Sequence, residues 1–442
     1  MKTTALAAAL LASCVLAQAP LLRAQTAPVS RAPARATVDT LTEDGRPLKD
    51  SDVTTGPIDR VIDFLTIEPN EKRVARDPER YYPSKIVFSP YVLFTPETSF
   101  GFGVGGSYLF KMPGSGDEER TRTSAIPVAF TYTLENQVLF YSGFEVFWPD
   151  EEWVLSGNFR GSIFPRLFYG IGPRTPDYGE LEAFNENDIV FQSREIVLEP
   201  IISKQAFIDR LFLGAGVRYR KVGATSFEFL EEGLVPEGGP ALLDGFRAID
   251  GAGGSTSVGV EVAALYDTRN SLLNAQRGTY IEATYGVYGE VLGGTHAYDL
   301  VRVDARRFWQ LNGRENHRDV FGVQGIGYFA TGNVPLVELA QLGSVEIMRG
   351  YYEGRYTDRH YAAAQAEYRL NLKDSPVGFV GFASAGAIAP EVSSLVDSPL
   401  RTAVGAGIRF EVDPVERLNL RADVAFTGEG GFNVYLQIGE AF

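Results

Sequence analysis

His296, His317 and His360 are the chain's three histidines. Histidine is the commonest general base, and it works by taking a proton from a positioned group. Each of the three falls at the end of an extended stretch or in a turn, with no serine motif matched to it. Scattered in this way, they do not make a metal site either. The single cysteine, Cys14, lies near the start, so residues beyond 24 offer no thiol for a disulfide or a thiolate centre. Gly101-Phe102-Gly103-Val104-Gly105-Gly106 sits in a strand pattern, where glycine marks close backbone approach rather than a phosphate loop. The expectation is therefore no catalytic residue, no cofactor and no metal. A different chemistry is available to Arg349-Gly350-Tyr351. Arginine holds a carboxylate through two parallel charge-assisted hydrogen bonds, and glycine permits a sharp turn or close approach. That chemistry is anchoring.

Such an anchor needs a frame. The 442 residues are 45% apolar, too much for wholesale disorder. Yet no run after residue 24 reaches the roughly 18 apolar residues of a spanning helix. Glycine (47), phenylalanine (29) and tyrosine (21) are abundant. Net charge is −15, which excludes the basic stripe of a nucleic-acid binder. Residues 1–24 read as an export signal: Lys2, a short apolar core, then small residues. Leu11-Ala12-Ser13-Cys14 also resembles a lipobox, which would make Cys14 a lipidated terminus. Residues 25–84 read as a Pro-rich periplasmic tail. Within it, 57–67 fits a short amphipathic helix, with Pro57 in the first turn and Ile58, Ile62 and Leu65 on one face.

From Lys85 to Phe442 the period is two. Leu418–Phe426 places apolar residues at even positions and Asn419, Arg421 and Asp423 at odd ones. A soluble sandwich would alternate too. A long succession of such strands, with charges on the other face, fits a membrane barrel with a wet lumen better. Sixteen strands are expected near 86–94, 99–110, 123–134, 137–147, 153–164, 188–200, 210–222 and 255–267, then 279–288, 296–311, 319–331, 361–372, 377–388, 401–412, 416–427 and 431–442. The longest connections, 165–187, 223–254 and 332–360, all follow odd strands. External loops of outer-membrane barrels are long and periplasmic turns short, so a periplasmic N-terminus is implied. The fold class is all-β: a transmembrane antiparallel barrel over 85–442.

Five motifs lie in order along this frame. Glu346-Ile347-Met348-Arg349-Gly350-Tyr351 resembles the Arg-Gly-aromatic signature in the sixth external loop of the barrel-assembly insertase superfamily, also called the bacterial surface antigen family. Tyr266-Asp267-Thr268-Arg269-Asn270 with Arg277-Gly278-Thr279 resembles its turn between strands 8 and 9. Glu367-Tyr368-Arg369 and Phe382-Ala383-Ser384-Ala385-Gly386 are similar to its strand 12 and 13 motifs, and Phe442 resembles the assembly signal of such barrels. The resemblance implies a sixth loop folded into the lumen and locked by Arg349 on Glu367 and on a strand-13 aspartate. Ser384 stands at that aspartate's place. It also implies a lateral seam between the first and last strands. Pro90 lacks a donor for the ladder, and Gly439 would weaken pairing in the last strand. Residues 25–84 are too few to hold the periplasmic polypeptide-transport domains of the insertases.

The implied function is help in inserting, assembling or translocating protein or lipid at the outer membrane of a Gram-negative bacterium. Outer-membrane lipids and client outer-membrane proteins would be the partners, nucleic acid would not, and the barrel would be monomeric. The alternative is a passive pore, since sixteen strands enclose a channel.

Overall fold

The computed structural model describes residues 66–67, 85–113, 121, 124–173, 189–229, 244–271, 274–311, 319–371, 375–413 and 418–442. The expected leader and most of the tail lie outside the described residues.

Sixteen strands form one closed antiparallel sheet, each paired with the next and the last with the first. The first eight are β1 Lys85–Thr95, β2 Ser99–Phe110, β3 Ser124–Thr133, β4 Val138–Phe147, β5 Trp153–Ile163, β6 Ile189–Leu198 continued by Ile201–Gln205, β7 Leu211–Phe229 and β8 Ser255–Asp267. The other eight are β9 Gly278–Tyr288, β10 Tyr298–Leu311, β11 Asp319–Gly332, β12 His360–Asn371, β13 Val377–Ala389, β14 Arg401–Asp413, β15 Leu418–Thr427 and β16 Phe432–Ile438.

The alternation has the polarity of a membrane barrel. Val404 and Ile408 are 56% and 53% exposed, while Arg409 and Asp423 are 2% and 0% exposed. Apolar side chains face outward, where lipid solvates them, and charges face inward. Closure satisfies the backbone groups that hydrocarbon cannot.

Glycines in β2 serve packing across the sheet. A Cβ on Gly103 would lie 2.3 Å from the Tyr91 ring, and one on Gly101 would lie 2.8 Å from Leu93. The Tyr91 and Leu93 side chains of β1 thus lie over bare backbone.

Four boundaries differ from the sequence expectation. β7 runs on to Phe229 because Gly223–Ser226 form a bulge and not an end; beyond it Phe229 pairs with Ile189. Pro200 interrupts β6, having no N–H to give. β16 ends at Ile438, and Gly439, at φ +80°, turns the chain out of the sheet. Gly439 therefore terminates the strand instead of weakening its interior. Last, Thr66 and Ile67, expected at the end of a helix, pair as strand with Val87 and Ile86 of β1. An unpaired strand edge readily recruits extended chain. The rest of that segment lies outside the described residues.

The ladders are unequal. β10 and β11 pair from Tyr298 opposite Gly332 to Leu311 opposite Asp319. β1 and β16 share a single opposed pair, Phe94 with Leu436.

Candidate functional site: the anchored sixth loop

The connection from β11 to β12 lies inside the barrel. A short hairpin, Ala340–Leu342 with Tyr356–Asp358, braces it. Leu342, Met348, Tyr351 and Tyr356 are fully buried and pack with Ala363, Ile388 and Ala403 of β12–β14. Hydrophobic burial thus holds the loop before any charge is counted.

At its tip Met348 has φ +58° and Gly350 φ +111°. The left-handed backbone turns Arg349 toward the wall, and such strain in a non-glycine residue persists only where its surroundings hold it. The Arg349 guanidinium lies over the Phe382 ring of β13, 3.6 Å from its centroid. Its Nη2 donates to Glu367 of β12, and Nη1 donates to Asp423 Oδ2 of β15 at 2.7 Å. The Gly350 N–H donates to the Tyr435 hydroxyl of β16 at 2.9 Å, and Asn433 Nδ2 donates to the Gly350 carbonyl at 2.7 Å. The Tyr351 hydroxyl donates to the Thr402 carbonyl at 3.0 Å.

The second carboxylate is thus Asp423. With Ser384 in place of a β13 aspartate, only one carboxylate was expected for Arg349, and that expectation is corrected. Ser384 lies two residues from Phe382; its hydroxyl is buried and has no hydrogen-bond partner among the described residues. Asp423 was legible as a lumen-facing charge by parity, but not as an Arg349 partner.

A second anchor, which the sequence reading missed, holds the descending limb. Glu338 Oε2 accepts from Arg218 Nη1 at 2.9 Å, and Arg220 Nη1 donates to the Val337 carbonyl at 2.7 Å. Burial alone would raise the Glu338 pKa, but Arg218 and Arg220 of β7 hold it below its ordinary value. On the far side, the Glu353 N–H donates to Glu97 Oε1 in the β1–β2 turn at 2.7 Å. Burial first, and the Glu353 charge second, push the Glu97 carboxyl up to about 7. Burial likewise raises Glu353, and pushes Glu346 up to about 7. The sixth loop therefore touches both strands of the seam or their turns: Glu97 beside β1, and Tyr435 and Asn433 on β16.

The remaining motif residues form a cluster at the barrel end where β1 begins and β16 finishes. Asp267 accepts from the Arg269 N–H and Nε, both at 3.0 Å, and from Nη2 at 2.8 Å. Arg269 lies 4.3 Å from the Tyr280 ring centroid. Gly278, at φ +114°, closes the turn. The turn carries Ala275 into a cluster with Phe308, Val320, Ala441 and Phe442. Phe442 is buried there, and its main-chain oxygen accepts from Arg369 Nη2 at 2.8 Å. Pro90 and Gly439 sit apart from these anchors, on the two sides of the seam. His296 bonds Asp250 through Nε2 at 2.8 Å in the external connections. Among the described residues no cluster of potential ligands suits a metal ion.

Comparison with known proteins matches this frame. Residues 215–442 match the family model of the Omp85 superfamily domain. The fold is similar to that of BamA from Haemophilus ducreyi lacking POTRA domains 1–3. The TM-score is 0.51 at 10% identity, covering 91% of this chain and 80% of that one. It is also similar to CdiB from Acinetobacter baumannii, with a TM-score of 0.50 at 10% identity, covering 79% of this chain and 59% of that one. No curated protein matched the sequence. The family match spans half of the chain, on a closed sixteen-stranded barrel with lipid-type polarity, and the chain belongs to the Omp85 superfamily of outer-membrane β-barrels.

Proposed function

We propose that this barrel inserts or translocates protein or lipid at the outer membrane by parting β1 from β16. The observation that carries the reading is the seam, where β1 and β16 are in register at one opposed pair, Phe94–Leu436, and otherwise meet through the packing of Tyr91 and Leu93 with Ile438. Every other junction of the wall has a longer ladder; even the short β16 pairs with β15 from Ile438 opposite Leu420 to Phe432 opposite Phe426. Each missing ladder bond lowers the cost of opening there. Pro90 removes one donor from β1, and the turn at Gly439 cuts β16 short. On its seam side β1 also accepts Thr66–Ile67 as a short added strand, the mode by which a sheet edge takes an extended segment of another chain. In this reading Arg349, Glu367 and Asp423 hold the sixth loop in the lumen of the closed barrel. Membership of the Omp85 superfamily supports outer-membrane lipids and outer-membrane proteins as partners.

The experiment uses the Phe94→Cys, Leu436→Cys double variant. Cys14 is the chain's one cysteine and lies in the expected leader, so the engineered pair is alone in the mature barrel. In liposomes, insertion of a client barrel and lipid movement are measured before and after reduction. Loss on oxidation and recovery on reduction are expected. Activity indifferent to the disulfide would exclude lateral opening, and ion conductance alone would favour a passive pore.

A further inference from the structure

Among the described residues the hydrogen bonds and ion pairs of Glu440 go to Arg409, Asn419 and Arg369 and not to the sixth loop, yet a closed circuit of ion pairs joins it to Arg349. Arg349 holds Glu367 and Asp423. Glu367 Oε2 accepts from Arg369 Nε at 3.0 Å, and Asp423 Oδ1 accepts from Arg409 Nη1 at 2.5 Å. Both of these arginines then meet Glu440. Arg409 Nε donates to its Oε2 at 2.7 Å, and Arg369 Nε lies 3.8 Å from the same oxygen. Three arginines and three carboxylates alternate around the ring, with no side chain more than 3% exposed. Glu440 belongs to the segment that leaves the last strand at Gly439 and turns into the lumen.

We propose that the ring couples the seat of the sixth loop to the inward turn at the end of β16, so that loop release and parting of the seam are one cooperative event. The inference rests on the insertion reading above and adds to it a regulatory link. Each charge in the ring has two opposite neighbours. Withdrawing Glu440 leaves Arg409 with Asp423 as its remaining ring partner, where it competes with Arg349. It leaves Arg369 drawing on Glu367 in the same way. A buried charge that loses a partner is costly, so the circuit holds best when complete. Coupling of this kind is reciprocal: a loosened loop must free the segment 439–442 by the same factor.

The test is limited proteolysis of the folded full-length barrel in detergent, comparing cleavage within residues 333–359 and within the 391–399 connection between β13 and β14. Arg349→Ala, Glu440→Gln and the double variant are measured without any client. Glu440→Gln should speed cleavage of the sixth loop at least about fivefold and leave the 391–399 connection unchanged. The double variant should fall short of the product of the two single effects. Sixth-loop cleavage at the wild-type rate, effects that multiply, or an equal rise at both sites would each overturn the coupling. Should Glu440→Gln fail to assemble, Arg409→Lys is the second arm. It keeps the charge but cannot serve Glu440 and Asp423 from two separate nitrogens, and the same outcomes decide. Insertion plays no part in this readout. A multiplicative result with a disulfide-sensitive insertase sinks the ring alone, and a coupled ring in a barrel indifferent to the disulfide retains the ring and sinks the insertion reading.

Discussion

Arg349 Nη1 and Asp423 Oδ2 lie 2.7 Å apart, with neither side chain exposed. The carboxylate expected from β13 comes instead from β15, on the other side of β14. Removing one partner of a buried pair costs about 3–5 kcal/mol, because the other charge is left uncompensated. Asp423→Asn should therefore loosen the loop about as much as Arg349→Ala, with strong non-additivity in the double-mutant cycle. Ser384→Asp alone should give little, since Nη1 is already engaged. In an Asp423→Asn background it should restore protease resistance. Tightening by Ser384→Asp in the otherwise native chain would show that Asp423 does not fill the vacant role.

Two glycines make room for this anchor. A Cβ on Gly405 would lie 2.3 Å from the Phe382 ring and 2.4 Å from the Val424 carbonyl. One on Gly407 would lie 1.9 Å from Asp423 Oδ1. Gly405→Ala should lift the ring that carries Arg349, and Gly407→Ala should push Asp423 away from it. Overpacking of this kind costs about 1–3 kcal/mol. Urea unfolding of the two variants, beside Gly381→Ala, checks the site-specific effect. Gly381 has open space around its Cβ position, so equal losses at all three would remove the anchor explanation.

The strands were legible because a period of two survives any tertiary context that keeps one face wet and the other in lipid. Parity also placed Asn419, Arg421 and Asp423 on the lumen face. Parity gives no height along the barrel and no partner across it. Glu338 meets Arg218 because the sixth loop folds into the lumen, and Glu440 meets Arg409 because the chain turns inward after β16. The bulge at Gly223–Ser226 was mistaken for a strand end because an extra residue breaks alternation as a turn does. Gly439 was expected inside β16, but the strand ends at Ile438 and the left-handed glycine turns the chain inward.

The Glu97–Glu353 contact should make the loop's hold on the β1–β2 turn dependent on pH. Burial, then the Glu353 charge, raises Glu97 to about 7, and Glu353 is raised as well. A carboxyl raised in the docked state favours docking while it stays protonated there. The contribution is complete below the free carboxyl's pKa of about 4.3 and is lost as pH rises through about 7. Hydrogen exchange at the Glu353 amide should accordingly quicken between pH 5 and 8 (about that span), beyond the intrinsic base dependence. Glu97→Gln should flatten the excess. A wild-type profile that follows the intrinsic dependence would remove the carboxyl pair as its source.

The β8–β9 turn supports the tail seat, and Gly278 is its most constrained position. At φ +114° any side chain is strained, and a Cβ there would lie 2.3 Å from the Thr268 carbonyl oxygen. Around it the Asp267–Arg269 pair, the Tyr280 ring under Arg269, and Asn270 Oδ1 accepting from the Gln276 and Arg277 N–H groups fix the turn. The turn in turn places Ala275 against Phe442, and its carbonyl accepts from Arg369 Nη1 at 3.4 Å. Gly278→Ala should therefore cost about 1–3 kcal/mol in backbone strain, and the damage should spread to the Phe442 seat. A fluorophore at the end of the chain would read the tail, and urea unfolding the barrel. Gly278→Ala should make the label more mobile at urea concentrations where the wild-type tail is still held. Gly430→Ala is the comparison: that glycine is also left-handed, at φ +91°, but has nothing near its Cβ position. It should destabilise the β15–β16 turn and leave the tail label unmoved. Equal mobility in the two variants would mean that the β8–β9 turn does not position the tail.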